Sequence, residues 1–166
     1  MLLALECARQ AEAHGDVPVG AVVALANGTV IGRGANCVEL HNNPAAHAEI
    51  IALGQAARKL GTPRLDGAFL ISTLEPCLMC ASAIAHARIA GLVFGASDPR
   101  AGAIHSAADL EDLPLGGRSY WHMGGILAHD CALLLNAFFD RLRQQTPFPS
   151  LGQKQEPSRR SEGIRG

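Results

Sequence analysis

Four residues carry the chemistry that reads most directly from this chain. They are His47 and Glu49 in Pro-Ala-Ala-His-Ala-Glu (44–49), and Cys77 and Cys80 in Leu-Glu-Pro-Cys-Leu-Met-Cys (74–80). One imidazole and two thiolates make three ligands for Zn²⁺. Three protein ligands leave the fourth tetrahedral position open for water, which separates catalytic from closed structural zinc sites. A carboxylate two residues from the histidine can then move protons without binding the metal. A structural site would need a fourth ligand. Cys37, His41, His86 and Cys131 are present, but none has the close paired spacing of Cys77 and Cys80.

The elements that must hold these groups follow from pattern and punctuation. Residues 2–14 read as an amphipathic helix with Leu2, Leu5, Ala8 and Ala13 near one face. Apolar runs at 17–26 and 29–34 flank Asn27-Gly28, the strongest short hairpin signal. Asn43 is the expected N-cap and Pro44 the first residue of a helix running to about residue 60, stopped by Gly61-Thr-Pro63. Residues 67–73 and 91–96 read as buried strands, and Pro76 opens a helix over about 77–88. Residues 97–118 read as a loop region with a short helix, 119–123 as a last strand, and 128–143 as a helix.

This places His47 and Glu49 in the first turn of one helix and Cys77 and Cys80 in that of another. Three apart, the cysteines share a side of their helix. The free N–H groups of a helix N-terminus favour thiolates, so two helix N-termini converging on one zinc is the expectation. Strands alternating with helices predict an α/β layered sheet. The tail from Gln144 has no core pattern, so the reading is one domain over 1–143 and a disordered tail over 144–166.

Composition sets limits. At 166 residues with 48% hydrophobic and 17% charged residues, the chain reads as one soluble domain. Aromatic residues are 4%, so the core must be mostly Ala, Leu, Ile and Val. No apolar run approaches the roughly 20 residues that span a bilayer, and the first residues lack the basic start of a secretory signal. Five cysteines, two in a C-x-x-C pair, suit a reducing compartment with a metal site better than a disulfide framework. A cytoplasmic location is therefore expected. Formal charge is −1, and residues 1–150 carry 10 basic against 13 acidic residues. The basic excess usual in nucleic-acid binders is missing from the folded part.

With these motifs in place, the chain resembles the tRNA-specific adenosine deaminases of the zinc-dependent cytidine-deaminase-like superfamily. His-x-Glu with Pro-Cys-x-x-Cys is the signature of the zinc nucleobase deaminases. Val17-Pro-Val-Gly-Ala-Val, Val93-Phe-Gly-Ala-Ser-Asp, Gly124-Gly-Ile-Leu-Ala and Phe138-Phe139 narrow the match. The resemblance implies a three-layer α/β/α cytidine-deaminase-like fold with a mixed five-stranded sheet, and a homodimer built near the zinc helices. It implies one Zn²⁺ per chain on His47, Cys77 and Cys80, with Glu49 as proton shuttle. An amino group leaves poorly until it is protonated, so such a shuttle suits deamination. The backbone N–H groups of Ala48 and Cys77 would touch the zinc-side water or the base, Asn36 would hydrogen-bond the base, and Asp98 would lie near the ribose of a flanking nucleotide.

The implied partner is the tRNA anticodon arm, deaminated from adenosine to inosine at the wobble position, with no membrane partner. The alternative is a free base or nucleoside such as guanine, cytosine or a related heterocycle. That alternative draws on the acidic body and on departures from the family pattern at Gly102-Ala-Ile-His-Ser106, Arg118-Ser-Tyr-Trp-His-Met123 and Asp140–Arg143. Within these, Tyr120 and Trp121 are candidates for stacking on a base or ordinary residues of a strand end, and His105 and His122 are candidate substrate contacts or ordinary loop histidines.

Overall fold

The structure, a computed structural model, describes residues 1–109 and 120–145. Asn27-Gly28 does what its chemistry predicts. Gly28 takes φ +84°, Asn27 Oδ1 accepts from Thr29 N at 3.0 Å, and strands β1 (Gly20–Leu25) and β2 (Val30–Ala35) pair antiparallel around the turn. Helix α1 (Leu2–Ala13) precedes the hairpin. After it come a short helix α2 (Val38–His41), α3 (Ala48–Leu60), β3 (Ala68–Leu74), α4 (Leu78–His86), β4 (Gly91–Ala96), β5 (Trp121–Met123) and α5 (Ala128–Gln145).

The sheet order is β2-β1-β3-β4-β5. β1 is antiparallel to both neighbours, whereas β3, β4 and β5 pair in parallel. Hence β2, β3 and β4 all end at one edge of the sheet and β1 begins there. In open α/β sheets the carboxyl edge of the parallel strands is where ligands bind.

The sheet is mixed and five-stranded, as expected, and packs helices on both faces. Val23, Leu70, Leu92 and Phe94 meet α3 and α4, with Ala48, Ala52, Ala56, Ala81 and Ile84 in the same core. Val22 and Ile71 meet α1 through Ala4 and Cys7. Cys131 of α5 packs with Leu5 and Ala96. The shortage of aromatics is met by close approach. A Cβ on Gly34 would lie 2.0 Å from Ala48 O, one on Gly32 2.2 Å from Ala52 O, and one on Gly20 2.1 Å from Ala4 O. Alanine helices settle directly onto strand glycines, so little side-chain volume is needed between them.

Several expectations are corrected. The buried face of α1 is Ala4, Leu5, Cys7, Ala8 and Ala11, while Leu2 and Ala13 are exposed. Close approach to Gly20 fixes that face, not the leucine spacing. Asn43-Pro44 does not open α3. Asn43 accepts from Ala45 N through its side chain (3.0 Å) and from Ala46 N through its carbonyl (3.0 Å), which makes a turn. The helix begins four residues after Pro44, at Ala48, with His47 as extended N-cap (φ −69°, ψ 150°). Helix α2 was not foreseen. Residues 97–109 form turns with no helix. Residues 110–119 and 146–166, on which the rest of the expected loop region, Arg118, Ser119 and most of the expected tail fall, lie outside the described residues. No helix among the described residues is long and apolar enough to cross a membrane.

Candidate active site

The carboxyl edge of the sheet opens into a cavity of about 260 Å³. Its lining comes from the segment before β1 (Asp16, Val17, Val19), the segment after β2 (Asn36, Val38, Glu39), the starts of α3 and α4 (His47, Glu49, Cys77), the last residue of β3 and the one after it (Leu74, Glu75), and the segment after β4 (Asp98, Ala101). Topology has therefore gathered residues from five separate stretches of chain.

The four residues singled out by type and spacing meet here. His47 caps α3 and Cys77 caps α4, both in extended backbone. Glu49 and Cys80 lie in the first turns that follow. His47 Nδ1 lies 3.7 Å from Cys77 Sγ and 3.6 Å from Cys80 Sγ, and the ligand atoms of all three lie within 4.8 Å of one another. A tetrahedral zinc with Zn–S of about 2.3 Å and Zn–N of about 2.0 Å sets S···N near about 3.6 Å, so the donor set fits that ion. Among the described residues this is the one group of three or more His, Cys, Asp or Glu side chains that could hold a metal.

Charge and burial explain the protonation states. Hydrogen bonding from the Cys80 thiol, aided by His47, pushes the Cys77 thiol down to about 4 despite its burial. Cys80 is driven the other way by its hydrogen bond to Cys77 and by burial. His47 is held above the usual imidazole range, chiefly by its hydrogen bond to Cys77. A coordinated dication deprotonates both thiols outright. Glu49 is 4% exposed, and burial raises its carboxyl above the ordinary range. Ser72 Oγ donates to Glu49 Oε1 at 3.3 Å and the Cys80 thiol contacts Oε2 at 3.6 Å. The carboxylate is thus aimed at the donor cluster by the β3 side chain beneath it.

The other candidates are distributed as follows. Asn36 is buried and lines the cavity, its N–H donating to Val19 O at 2.9 Å. Ala48 is fully buried at the first position of α3, where a helix N–H has no intrahelical partner. Asp98 lines the cavity too, but its Oδ1 accepts from Arg100 N (3.0 Å) and Ala101 N (3.3 Å), so the side chain also closes its own turn. Tyr120 is a core residue that donates to Ala81 O at 3.3 Å. Trp121 is half exposed on the edge strand. His105 and His122 stack loosely with each other, ring centroids 6.1 Å apart, and neither lines the cavity.

Two buried carboxylates were not singled out from the sequence. Asp16 accepts from Glu39 N (2.8 Å) and Leu40 N (3.1 Å), capping α2 and fixing the segment after Asn36. Glu75 accepts from four backbone N–H groups of residues 98–106. Its only sequence signal is a charge in an apolar run next to Pro76-Cys77.

Comparison with known proteins agrees with this geometry. The profile of the cytidine and deoxycytidylate deaminase zinc-binding region matches residues 1–96. The tRNA-specific adenosine deaminase of Haemophilus influenzae is 44% identical over 145 residues, 87% of this chain and 84% of that protein. The Bacillus subtilis protein of the same name is 39% identical over 142 residues, 86% and 88% of the two chains. The chain belongs to the tRNA-specific adenosine deaminase family. Among solved structures, a tRNA:A34 deaminase from a study of A-to-I editing at the tRNA wobble position superposes on this deaminase with a TM-score of 0.78. It is 42% identical, covering 81% of this chain and 97% of that one. The guanine deaminase of Nitrosomonas europaea follows with a TM-score of 0.70 at 28% identity, covering 81% and 80%.

Proposed function

We propose that this deaminase hydrolyses adenosine to inosine at the wobble position of tRNA, using one zinc ion per chain. The observation that carries the reading is its likeness to a tRNA:A34 deaminase along nearly the whole of that chain. In this reading His47 Nδ1 and the Cys77 and Cys80 sulfurs hold the zinc. The metal supplies a Lewis-acid centre that lowers the pKa of water at its open position. Two thiolates neutralise the ion and weaken that effect, so the chain needs its own proton carrier.

Glu49 is that carrier. Its Oε2 faces the cysteine cluster, and its buried carboxyl holds a proton more readily than an exposed one. It takes a proton from the attacking water and delivers it to the ring as the C–O bond forms, then takes the remaining proton of the added hydroxyl and delivers it to the departing amine as the C–N bond breaks and ammonia leaves, which returns the carboxylate to its starting state. Asn36 hydrogen-bonds the base, the N–H groups of Ala48 and Cys77 face the reacting end, and Asp98 faces the ribose of a neighbouring nucleotide. The wobble base must leave its stack to enter a cavity this narrow. A homodimer and a cytoplasmic location belong to the same proposal, supported by family membership.

A second reading, a free-purine deaminase, is favoured by the guanine deaminase likeness and by the excess of acidic over basic residues in 1–150. The deciding experiment follows ammonia release from an anticodon-arm RNA and from a panel of free bases and nucleosides. Release from the RNA alone supports the first reading, and release only from free bases ends it.

A further inference from the structure

We propose that Glu75 is a positioning residue that locks the 98–106 segment, and with it Asp98, against the N-terminus of α4. Glu75 is 2% exposed and sits between Leu74, the last residue of β3, and the Pro76-Cys77 start of α4. Its Oε1 accepts from Ile104 N (3.1 Å), His105 N (3.0 Å) and Ser106 N (3.1 Å). Its Oε2 accepts from Asp98 N at 3.0 Å and from the Ser106 hydroxyl. One carboxylate thus gathers donors from both ends of a nine-residue segment. Burial opposes its ionisation, and these hydrogen bonds more than offset that cost.

Three further observations support the same lock. The main chain pairs across it, with Glu75 N donating to Ala96 O at 2.8 Å and Ala103 N to Pro76 O at 2.9 Å. Cys77 and Gly102 form an antiparallel bridge. A Cβ on Gly102 would lie 2.4 Å from the Glu75 carboxyl carbon, so only glycine lets the segment close over the carboxylate. Glu75, Cys77 and Asp98 all line the cavity. The lock therefore sets the distance between the zinc-side helix and the side of the cavity we assign to the flanking nucleotide. This inference rests on that assignment.

The test is Glu75→Gln in the zinc-loaded full chain. Glutamine keeps the shape but has one acceptor oxygen. If that oxygen serves the three donors at Oε1, the amide NH₂ faces Asp98 N–H and that bond is lost. Loss of a hydrogen bond to a charged group predicts a KM for anticodon-arm RNA higher by on the order of tenfold, with kcat and zinc content retained. Amide exchange should quicken in residues 98–106 and stay unchanged in α3. In an Asp98→Ala background, Glu75→Gln should add no further KM effect, because the carboxylate acts through Asp98. Additive KM effects would overturn the proposal, as would parallel loss of zinc and kcat, or faster exchange with KM unchanged. Should Glu75→Gln fail to fold, Ser106→Ala removes one donor from an exposed residue. It should raise KM in the same direction, and an unchanged KM would count against the lock. Wild-type turnover of the RNA reports on the proposed function separately. If only free bases are deaminated, that function fails while the exchange comparison still decides whether Glu75 holds the segment.

Discussion

At the scale of single residues, the site separates groups that must be a given element from groups that hold others in place. Zinc chemistry admits few ligand types, and proton transfer to an amine needs a carboxylate nearby. His47, Glu49, Cys77 and Cys80 were therefore legible from type and spacing, and the structure brings them together. Glu49→Ala should lower turnover by about 10² to 10⁴ or more, the usual contribution of a positioned general acid–base. Zinc content measured by elemental analysis should stay the same, and retained activity would refute the proton role. Cys80→Ala should lose the metal, since two donors remain of three; a stoichiometric zinc content in that variant would show the ligand set to be wrong. Glu75 and Asp16 were not legible. Their partners are backbone N–H groups 23 to 31 residues away in the chain, and no residue type announces such a partner.

At the scale of elements, the hairpin, the buried strands and α5 followed from turn chemistry and apolar runs, while the start of α3 did not. Asn43-Pro44 carries a strong start signal, yet the same Asn43 side chain satisfies a turn instead, and α3 begins where His47 can stand extended at its cap. The seating of α3 on β2 depends on Gly34, whose missing side chain leaves room for Ala48 O. Gly34→Ala sets backbone against backbone, which side-chain rotation cannot relieve. It should cost about 1–3 kcal/mol, as overpacking does, and because α3 carries His47 and Glu49 it should also weaken zinc retention; thermal melts with and without a chelator read both effects. Tyr120 belongs to this scale as well. Its hydroxyl ties the chain entering β5 to α4, so Tyr120→Phe should cost roughly 1 kcal/mol and leave KM for RNA alone. A raised KM with unchanged stability would restore the base-stacking reading that its burial now opposes.

At the scale of the whole molecule, the parallel directions of β2, β3 and β4 deliver Asn36, Glu75 and Asp98 to one edge, and the antiparallel β1 adds Asp16. Alternation of strands and helices made the layered sheet legible, but the strand order was not, because pairing partners are set by packing across the chain and not by local pattern. Among the described residues, the cavity that results is lined by Asp16, Glu39, Glu49, Glu75 and Asp98, with His47 as the one basic residue. Phosphates are poorly matched to such a lining, so an RNA substrate must place its bases in the cavity and keep its backbone outside. The body offers few cations for that backbone, with 10 basic against 13 acidic residues in 1–150. Each phosphate contact contributes roughly 0.7–0.9 to the slope of log affinity against log salt. Anticodon-arm binding by this deaminase should therefore show a shallow slope, below about 3 in magnitude and so fewer than about four phosphate contacts, with recognition resting on the splayed bases. A titration of RNA affinity across salt concentrations measures it directly. A steep slope would mean that phosphate contacts dominate, and the acidic cavity would then have little part in choosing the substrate.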